Sequence, residues 1–515
     1  MSQCDPEEMD PSHEPELKPN EAMVPNYLQE LEDLKNERMQ EGNPVLDLSA
    51  EDEGEEPDKE VDPYQWFLRN EPYMNLTPIQ VDPETKHPNF PDGLRFTHRK
   101  VGMARGMSDE NKKEMKVFLD PEPHVVLDQN IPVRGWYKAK HTKPNSRPRP
   151  CYTEALLTQP YGGFCAVGCA FCYINHGMRG YRGQGLATVD PNYGDKIAKQ
   201  FSKMKLANAV YMSSFIDPFL GLEEVYHNTQ NTARAALDCG LPIFFLTRKH
   251  VPDWAYDYLG ENKYNYMQFS INTANPDTWR RISPRAVPLE HMVHQVREMH
   301  KRGIYVSIQC NPIVPGIMTT EDNIALIHML AEAGADHLIF KFVEITYPSA
   351  PHLVGQLKKR FGEERGQRFA DLFTCNIGGW KTVDEDYRKQ HLDIYSRECK
   401  KAGVTMALCY EYEYERDTAG EIINKTGVSM GPKYMTSDQC HGHRIPMHVR
   451  SDLNELFKPL EGICPPAGCL TCGEVSGGDD NVPCGDGFLG SAPALEPKHY
   501  KEGRIKGRRL KVIQS

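Results

Sequence analysis

ALLTQPYGGFCAVGCAFCYINHG, residues 155–177, reads as a short apolar strand running into a glycine-flanked loop that carries Cys165, Cys169 and Cys172. The spacing is Cx3Cx2C, with Gly168 easing the loop and Phe171 directly before the third cysteine. Three thiolates hold a metal centre but do not complete a tetrahedral cage. Structural zinc wants four protein ligands, and catalytic zinc usually takes His or carboxylate. A cubane 4Fe-4S cluster held by three cysteines instead leaves one iron open for a non-protein ligand. His176, four residues past Cys172, could serve as a fourth ligand. On that competing reading the chain is a non-catalytic, zinc-binding interaction protein.

Downstream, short apolar runs alternate with longer amphipathic ones between residues 205 and 410, a βαβα rhythm that predicts a parallel sheet covered by helices. ANAVYMSS (207–214), PIFFLT (242–247), YMQFSIN (266–272), YVSIQCNP (305–312), HLIFKFVE (337–344) and VTMALCYE (404–411) are the expected strands, apolar and rich in β-branched or aromatic residues. Helices are expected over 223–240, 288–303 and 320–335, each ending at or near glycine. With 155–163 as the first strand, about seven βα units make an α/β fold, a partial or near-closed (β/α) barrel. Chemistry in such barrels sits at the C-terminal ends of the strands, and the three-cysteine loop follows the first one.

The chain has 515 residues and a net charge of -12, unevenly spread. Residues 1–60 hold 20 Asp and Glu against 4 Lys and Arg, leaving the remainder slightly basic. Too few apolar residues lie there to offset the entropy of ordering, so residues 1–62 read as a largely disordered acidic arm, suited to recruiting a partner protein. Residues 63–150 are an N-terminal extension packing on the barrel, 151–410 the barrel, 411–490 a small cysteine-rich C-terminal domain and 491–515 a basic tail. No apolar run approaches the ~20 residues of a membrane span, and the N-terminus lacks a secretory pattern. The expected compartment is a reducing cytoplasm, where 15 cysteines point to metal or redox chemistry rather than disulfides.

In the C-terminal region, Cys464, Cys469 and Cys472 form Cx4Cx2C, with Cys484 downstream and Cys440 upstream. Four thiolates from this set suit either a structural zinc or a second 4Fe-4S cluster, and ligand type alone fits both. His441 and His443 stand in reserve or line a pocket. Cys310 and Cys409 lie on predicted barrel strands and are candidate lumen-facing catalytic thiols, as hydrogen donors or radical quenchers; buried filling is the alternative. Lys341 and Glu344 either pair inside the barrel or meet a polar substrate.

The Cx3CxΦC loop after the first strand of a βα barrel resembles the signature of the radical S-adenosylmethionine (radical SAM) superfamily. VYMSSFIDPFLGLEE (210–224), FFLTRKHVPDW (244–254), FSINTANPDTWRRISPRAVPLEHMV (269–293) and QCNPIVPGI (309–317) further resemble its subgroup of spore photoproduct lyase and DNA repair photolyase-like proteins. The resemblance covers roughly residues 150–345. It implies a 4Fe-4S cluster on Cys165, Cys169 and Cys172, with S-adenosylmethionine chelated at the open iron and reductively cleaved to a 5'-deoxyadenosyl radical. It also implies an electron donor such as flavodoxin or ferredoxin. Carried over residue by residue, Phe171 would pack near the adenine, Ser213, Ser214 and Asp217 near the methionine moiety, and Ser270 and Asn272 near the ribose. Substrate class stays open between peptide, small metabolite and nucleic acid.

Overall fold

Seven short segments pair in chain order as one parallel sheet: β1 (Ala155–Leu157), β2 (Val210–Met212), β3 (Ile243–Thr247), β4 (Tyr266–Ser270), β5 (Tyr305–Ile313), β6 (His337–Phe342) and β7 (Thr405–Leu408). Arg134–Trp136 runs antiparallel along β1, and β7 is the other edge, so the sheet is a half-barrel open between its first and last strands. This computed structural model describes residues 94, 96–102, 112–128, 134–136, 155–176, 181–204, 206–377, 380–437, 440–443, 445–446, 448–450, 452–459, 504–505 and 508–509. The acidic arm of residues 1–62, Cys464, Cys469, Cys472 and Cys484, and most of the basic tail lie outside the described residues.

Period-two alternation divides the strands into two faces. Met267 and Phe269 of β4, Val306 and Ile308 of β5, and Leu338 and Phe340 of β6 join the main core beneath the helices. The helices of that outer layer include α1 (Tyr193–Phe201), α2 (Asn228–Asp238), α3 (Asp253–Gly260), α4 (Pro276–Ile282), α5 (Leu289–Lys301), α6 (Thr320–Glu332) and α7 (Glu385–Ala402). A reciprocal pair of bonds between Thr319 and Asp322 caps α6. The intervening strand residues, Tyr266, Gln268 and Ser270 on β4 and Ser307 and Gln309 on β5, face the lumen. There Gln309 donates to Gln268 at 2.7 Å, and Gln268 to Ser307 at 3.3 Å.

Two expected elements divide. Residues 155–163 form β1 and then, past Pro160, the separate strand Tyr161–Gly163, which belongs to a second sheet with Phe96–Val101, Lys113–Phe118, His124–Val126 and Ala187–Val189. The cysteine loop therefore hangs from this smaller sheet, one strand later than the sequence suggests. The helix expected over 223–240 breaks at His227, whose φ of 50° is left-handed.

At the N-terminal end of the lumen an aromatic layer lies across the strands. Phe244 stacks between Tyr211 and Tyr266 at 4.4 Å on each side, and His443 stacks on Tyr305 at 4.5 Å. His441 shares a 2.5 Å hydrogen bond with the Tyr266 hydroxyl, while His337 Nε2 donates to the Cys440 carbonyl at 2.9 Å. Burial pulls His441 down to about 3 and His337 to about 4, so both rings are neutral packing groups at physiological pH.

Candidate active site

The cysteine loop starts at Gly163, where φ is +71° and a Cβ would lie 2.6 Å from the Leu186 carbonyl, so only glycine makes this close approach. Gly168 takes the second positive φ, 70°, and lets the chain turn between Cys165 and Cys169. Asn175 Nδ2 donates to the Cys165 carbonyl at 3.3 Å, and the Cys172 amide donates to the Cys169 carbonyl at 3.1 Å. Two further bonds dock the loop on the segment following β4: Ala170 N–H to Ile282 O at 2.8 Å and Arg285 N–H to Val167 O at 3.3 Å. This is the C-terminal side of the barrel, where the sequence expects the chemistry.

Three conformationally defined groups surround the thiols. Asp217, in the turn after β2, accepts from the Phe219 amide (3.0 Å), the Thr247 hydroxyl (2.8 Å) and the Arg248 amide (2.8 Å), which joins the ends of β2 and β3. Arg248 is fully buried. Its guanidinium donates to Asn272 Oδ1 at 3.1 Å, Ser283 Oγ at 3.0 Å and the Asn311 carbonyl at 3.2 Å, with the rings of Phe171 and Trp279 centred 5.1 and 5.0 Å away. Ser283 in turn donates to Cys169 Sγ at 3.3 Å.

Burial raises Cys165 well above its ordinary value and pushes Cys172 up to about 11, each thiol further raised by its cysteine neighbours. Cys165 and Cys172 are thus held as neutral thiols in the absence of a metal. Iron would reverse it, because a coordinating thiol is deprotonated outright. Among the described residues, no three His, Cys, Asp or Glu side chains converge as around a single metal ion. The donor set, three thiols on one loop with nothing but sulfur to offer, fits an iron-sulfur cluster with an open corner. A second sign of a ligand is Ser214, whose buried hydroxyl has no partner among the described residues.

The remaining expected residues sit at several places on the barrel. Ser213 donates to the Ile216 carbonyl and shapes the Asp217 turn; Asn272 also donates to the Pro312 carbonyl at 2.9 Å, and Ser270 lies on the lumen side of β4 below it. Phe171 is half-buried under Arg248. Cys409 follows Leu408 on the lumen side of β7, its amide donating to the Phe340 carbonyl at 3.0 Å. Lys341 pairs with Glu344 at 2.6 Å beside it. Cys310 corrects the expectation of a lumen thiol: the alternation of β5 turns Gln309 inward and Cys310 outward, into the core near Cys399 and Tyr395. Cys440 is buried at the opposite, N-terminal end of the lumen from the cysteine loop.

Sequence reasoning missed Ser283 and Glu122 and underrated Arg248. The one available signal for Arg248 was a basic pair directly after an apolar strand. Glu122, from the extension, is buried with Oε1 unpartnered among the described residues, and burial raises its carboxyl. Glu223 is fully occupied: it accepts from the Tyr161 hydroxyl and from the Thr229 (2.9 Å) and Gln230 (2.8 Å) amides. It fastens the strand that carries the cysteine loop to α2, and burial pushes it up to about 7.

The family model described as Radical SAM superfamily matches residues 160–340. A curated protein of Pseudomonas phage M6, named radical SAM Nalpha-GlyT isomerase, is 44% identical over 448 residues, covering 85% of this chain and 92% of its own. Among solved structures, spore photoproduct lyase complexed with a dinucleoside spore photoproduct is 16% identical with a TM-score of 0.37, covering 52% of this chain and 75% of that one. Streptococcus suis SuiB bound to S-adenosylmethionine is 12% identical with a TM-score of 0.32, covering 49% and 51%. The named family consists of enzymes that use a 4Fe-4S cluster, S-adenosylmethionine and a reductant, which removes the non-catalytic zinc reading. With a named member matched along nearly its whole length and the three-cysteine loop seated at the mouth of a seven-stranded half-barrel, this chain belongs to the radical SAM superfamily.

Proposed function

We propose that the protein is a radical SAM isomerase acting on the substrate named for its phage relative, Nα-GlyT. The observation that carries this reading is 44% identity across 92% of that relative. Cys165, Cys169 and Cys172 would hold the 4Fe-4S cluster, with S-adenosylmethionine at its open corner. When bound, the pair supplies a 5'-deoxyadenosyl radical, which removes a hydrogen atom from an unreactive C–H position.

The chain's own residues bind and orient. The unpartnered Ser214 hydroxyl and the Asp217 turn favour the methionine end, Phe171 the adenine, and Ser270 and Asn272 the ribose. An isomerisation restores the hydrogen it removes and leaves the substrate's oxidation state unchanged. Cys409, just past β7 on the lumen side, is the thiol suited to that return; the thiyl radical left behind would take one electron from the donor and a proton, with 5'-deoxyadenosine released as co-product. No net electron acceptor is then required, so Cys440, Cys464, Cys469, Cys472 and Cys484 serve structure, whether as zinc or iron-sulfur ligands. A flavodoxin or ferredoxin is the electron donor we assign, in a reducing cytoplasm.

The test is incubation of the anaerobically reconstituted protein with S-adenosylmethionine, reductant and Nα-GlyT, followed by chromatography and mass spectrometry. The expected product has the substrate's mass and a different retention time. A product of altered mass would exclude isomerisation, and 5'-deoxyadenosine formed with the substrate untouched would exclude this substrate while leaving the superfamily assignment intact.

A further inference from the structure

Arg248 is a complete cation in a place where an isolated charge is expensive. It is buried, and no carboxylate lies within ion-pair distance of it among the described residues. Burying a charge costs several kcal/mol unless something of opposite sign stands beside it. Its fixed partners are neutral: Asn272 Oδ1, Ser283 Oγ and the Asn311 carbonyl, with two aromatic faces alongside. Asp217 contributes through its Arg248 amide contact, and its carboxylate is already held by three donors. Among the described residues, the other negative charge that bears on it is what the cysteines carry once they are thiolates.

One of these neutral partners points at a sulfur. Ser283 has a single proton. Because its oxygen accepts the guanidinium N–H at 3.0 Å, that proton is directed to Cys169 Sγ at 3.3 Å. Accepting from a cation polarises the hydroxyl and strengthens its own donation. The hydroxyl is held in place, since Ser283 is buried and its amide bonds to Trp279 O at the end of α4.

We propose that Ser283 is a positioning residue that delivers the charge of Arg248 to Cys169, making this thiolate electronically distinct and raising the reduction potential of the cluster. Potentials of iron-sulfur centres depend on net charge and on hydrogen bonds to the sulfurs, and both act here on one ligand. A donor to a cluster thiolate favours the reduced state, which carries the greater negative charge. The inference rests on the reading that Cys165, Cys169 and Cys172 hold the cluster.

The experiment is a redox titration of the reconstituted holoprotein followed by electron paramagnetic resonance, comparing wild type with Ser283→Ala, Ser283→Thr and Arg248→Lys. Ser283→Ala is expected to keep its iron, shift the midpoint negative and lose an exchangeable-proton coupling to the reduced cluster. Ser283→Thr, which keeps the hydroxyl, should retain potential and coupling. Arg248→Lys, which keeps charge but not the planar fork, should fall between wild type and Ser283→Ala. An unchanged midpoint and coupling in Ser283→Ala would overturn the inference and leave Ser283 as a helix terminator. If Ser283→Ala lost its iron, recovery of iron and potential by Ser283→Thr would support the hydroxyl's role, and failure to recover would overturn it. A wild-type protein holding no cluster removes the underlying reading as well.

Discussion

The two ends of the half-barrel are built from the same strands by opposite means. At the N-terminal end, Tyr211, Phe244, Tyr266 and Tyr305 pack with His441 and His443, and burial holds both imidazoles neutral. At the C-terminal end, Asp217, Arg248 and three thiols are buried together, and a serine hydroxyl is left without a partner among the described residues. One end is packed ring on ring, although His443 Nε2 also has no partner among the described residues. The other gathers buried charge, three thiols and an unpartnered hydroxyl, which a bound ligand would complete. Neither the strand count nor the sheet order distinguishes these ends; the lumen residues do.

A charge at the C-terminal end that is already paired provides the sharpest contrast with Arg248. Arg388 on α7 meets Glu411 at 2.8 Å, both nearly inaccessible, and Glu411 also takes the Phe342 amide at the end of β6. Removing one member of such a pair strands the other, so Arg388→Ala should cost about 3–5 kcal/mol in urea unfolding. A cost below about 1 kcal/mol would mean that the pair is not desolvated as described.

Asp217→Asn sharpens the same contrast on the ligand side. The amide replaces a charged acceptor of three hydrogen bonds and presents an N–H to donors. Bonds to charged groups contribute about 1.5–3 kcal/mol, so binding of S-adenosylmethionine to the anaerobic holoprotein should weaken by about ten- to a hundredfold. Unaltered affinity in calorimetry would detach this turn from cofactor binding.

The N-terminal layer is broken by acid rather than by ligand loss. His441 holds no proton until about pH 3, whereas the unfolded chain takes one up near pH 6.5. The unfolded state thus binds more protons between those values, and stability falls as pH drops through the window, by at most about 1.4 kcal/mol per unit from this residue. Relative to His441→Gln, the wild type should lose stability from pH 6.5 downward, with the difference constant above about pH 7.5. A difference that does not move with pH would show the ring to be solvated.

The smallest effects separate the two barrel cysteines. Cys310→Ala should cost about 1 kcal/mol of stability and leave the yield of 5'-deoxyadenosine unchanged, as befits a side chain in the helix-facing core. Cys409→Ala should leave stability intact and lower product formed per 5'-deoxyadenosine. The reverse pattern would exchange their roles.

Much of this was legible in the chain itself. The cysteine spacing identifies an open-cornered ligand set because its three members sit within eight residues, and the seven strands are visible because each buries a continuous apolar run. Arg248 was not legible in the same way, since its partners Asn272, Ser283 and Asn311 lie 24, 35 and 63 residues away. Only the parallel register of β3, β4 and β5 brings them together. Cys310 misled for a related reason: an apolar strand does not declare which face its cysteine takes until both neighbours are packed. The break at His227 and the departure of Tyr161–Gly163 to a second sheet depend on backbone conformations that composition does not encode.

The most direct measurement is iron and acid-labile sulfide per chain after anaerobic purification, together with 5'-deoxyadenosine formed under reductant, in wild type and in the Cys165→Ala, Cys169→Ala, Cys172→Ala triple variant. The account predicts that the triple variant loses about four irons per chain and all cleavage of S-adenosylmethionine, whatever the C-terminal cysteines retain. Equal iron in both proteins, or cleavage that survives the substitutions, would contradict it.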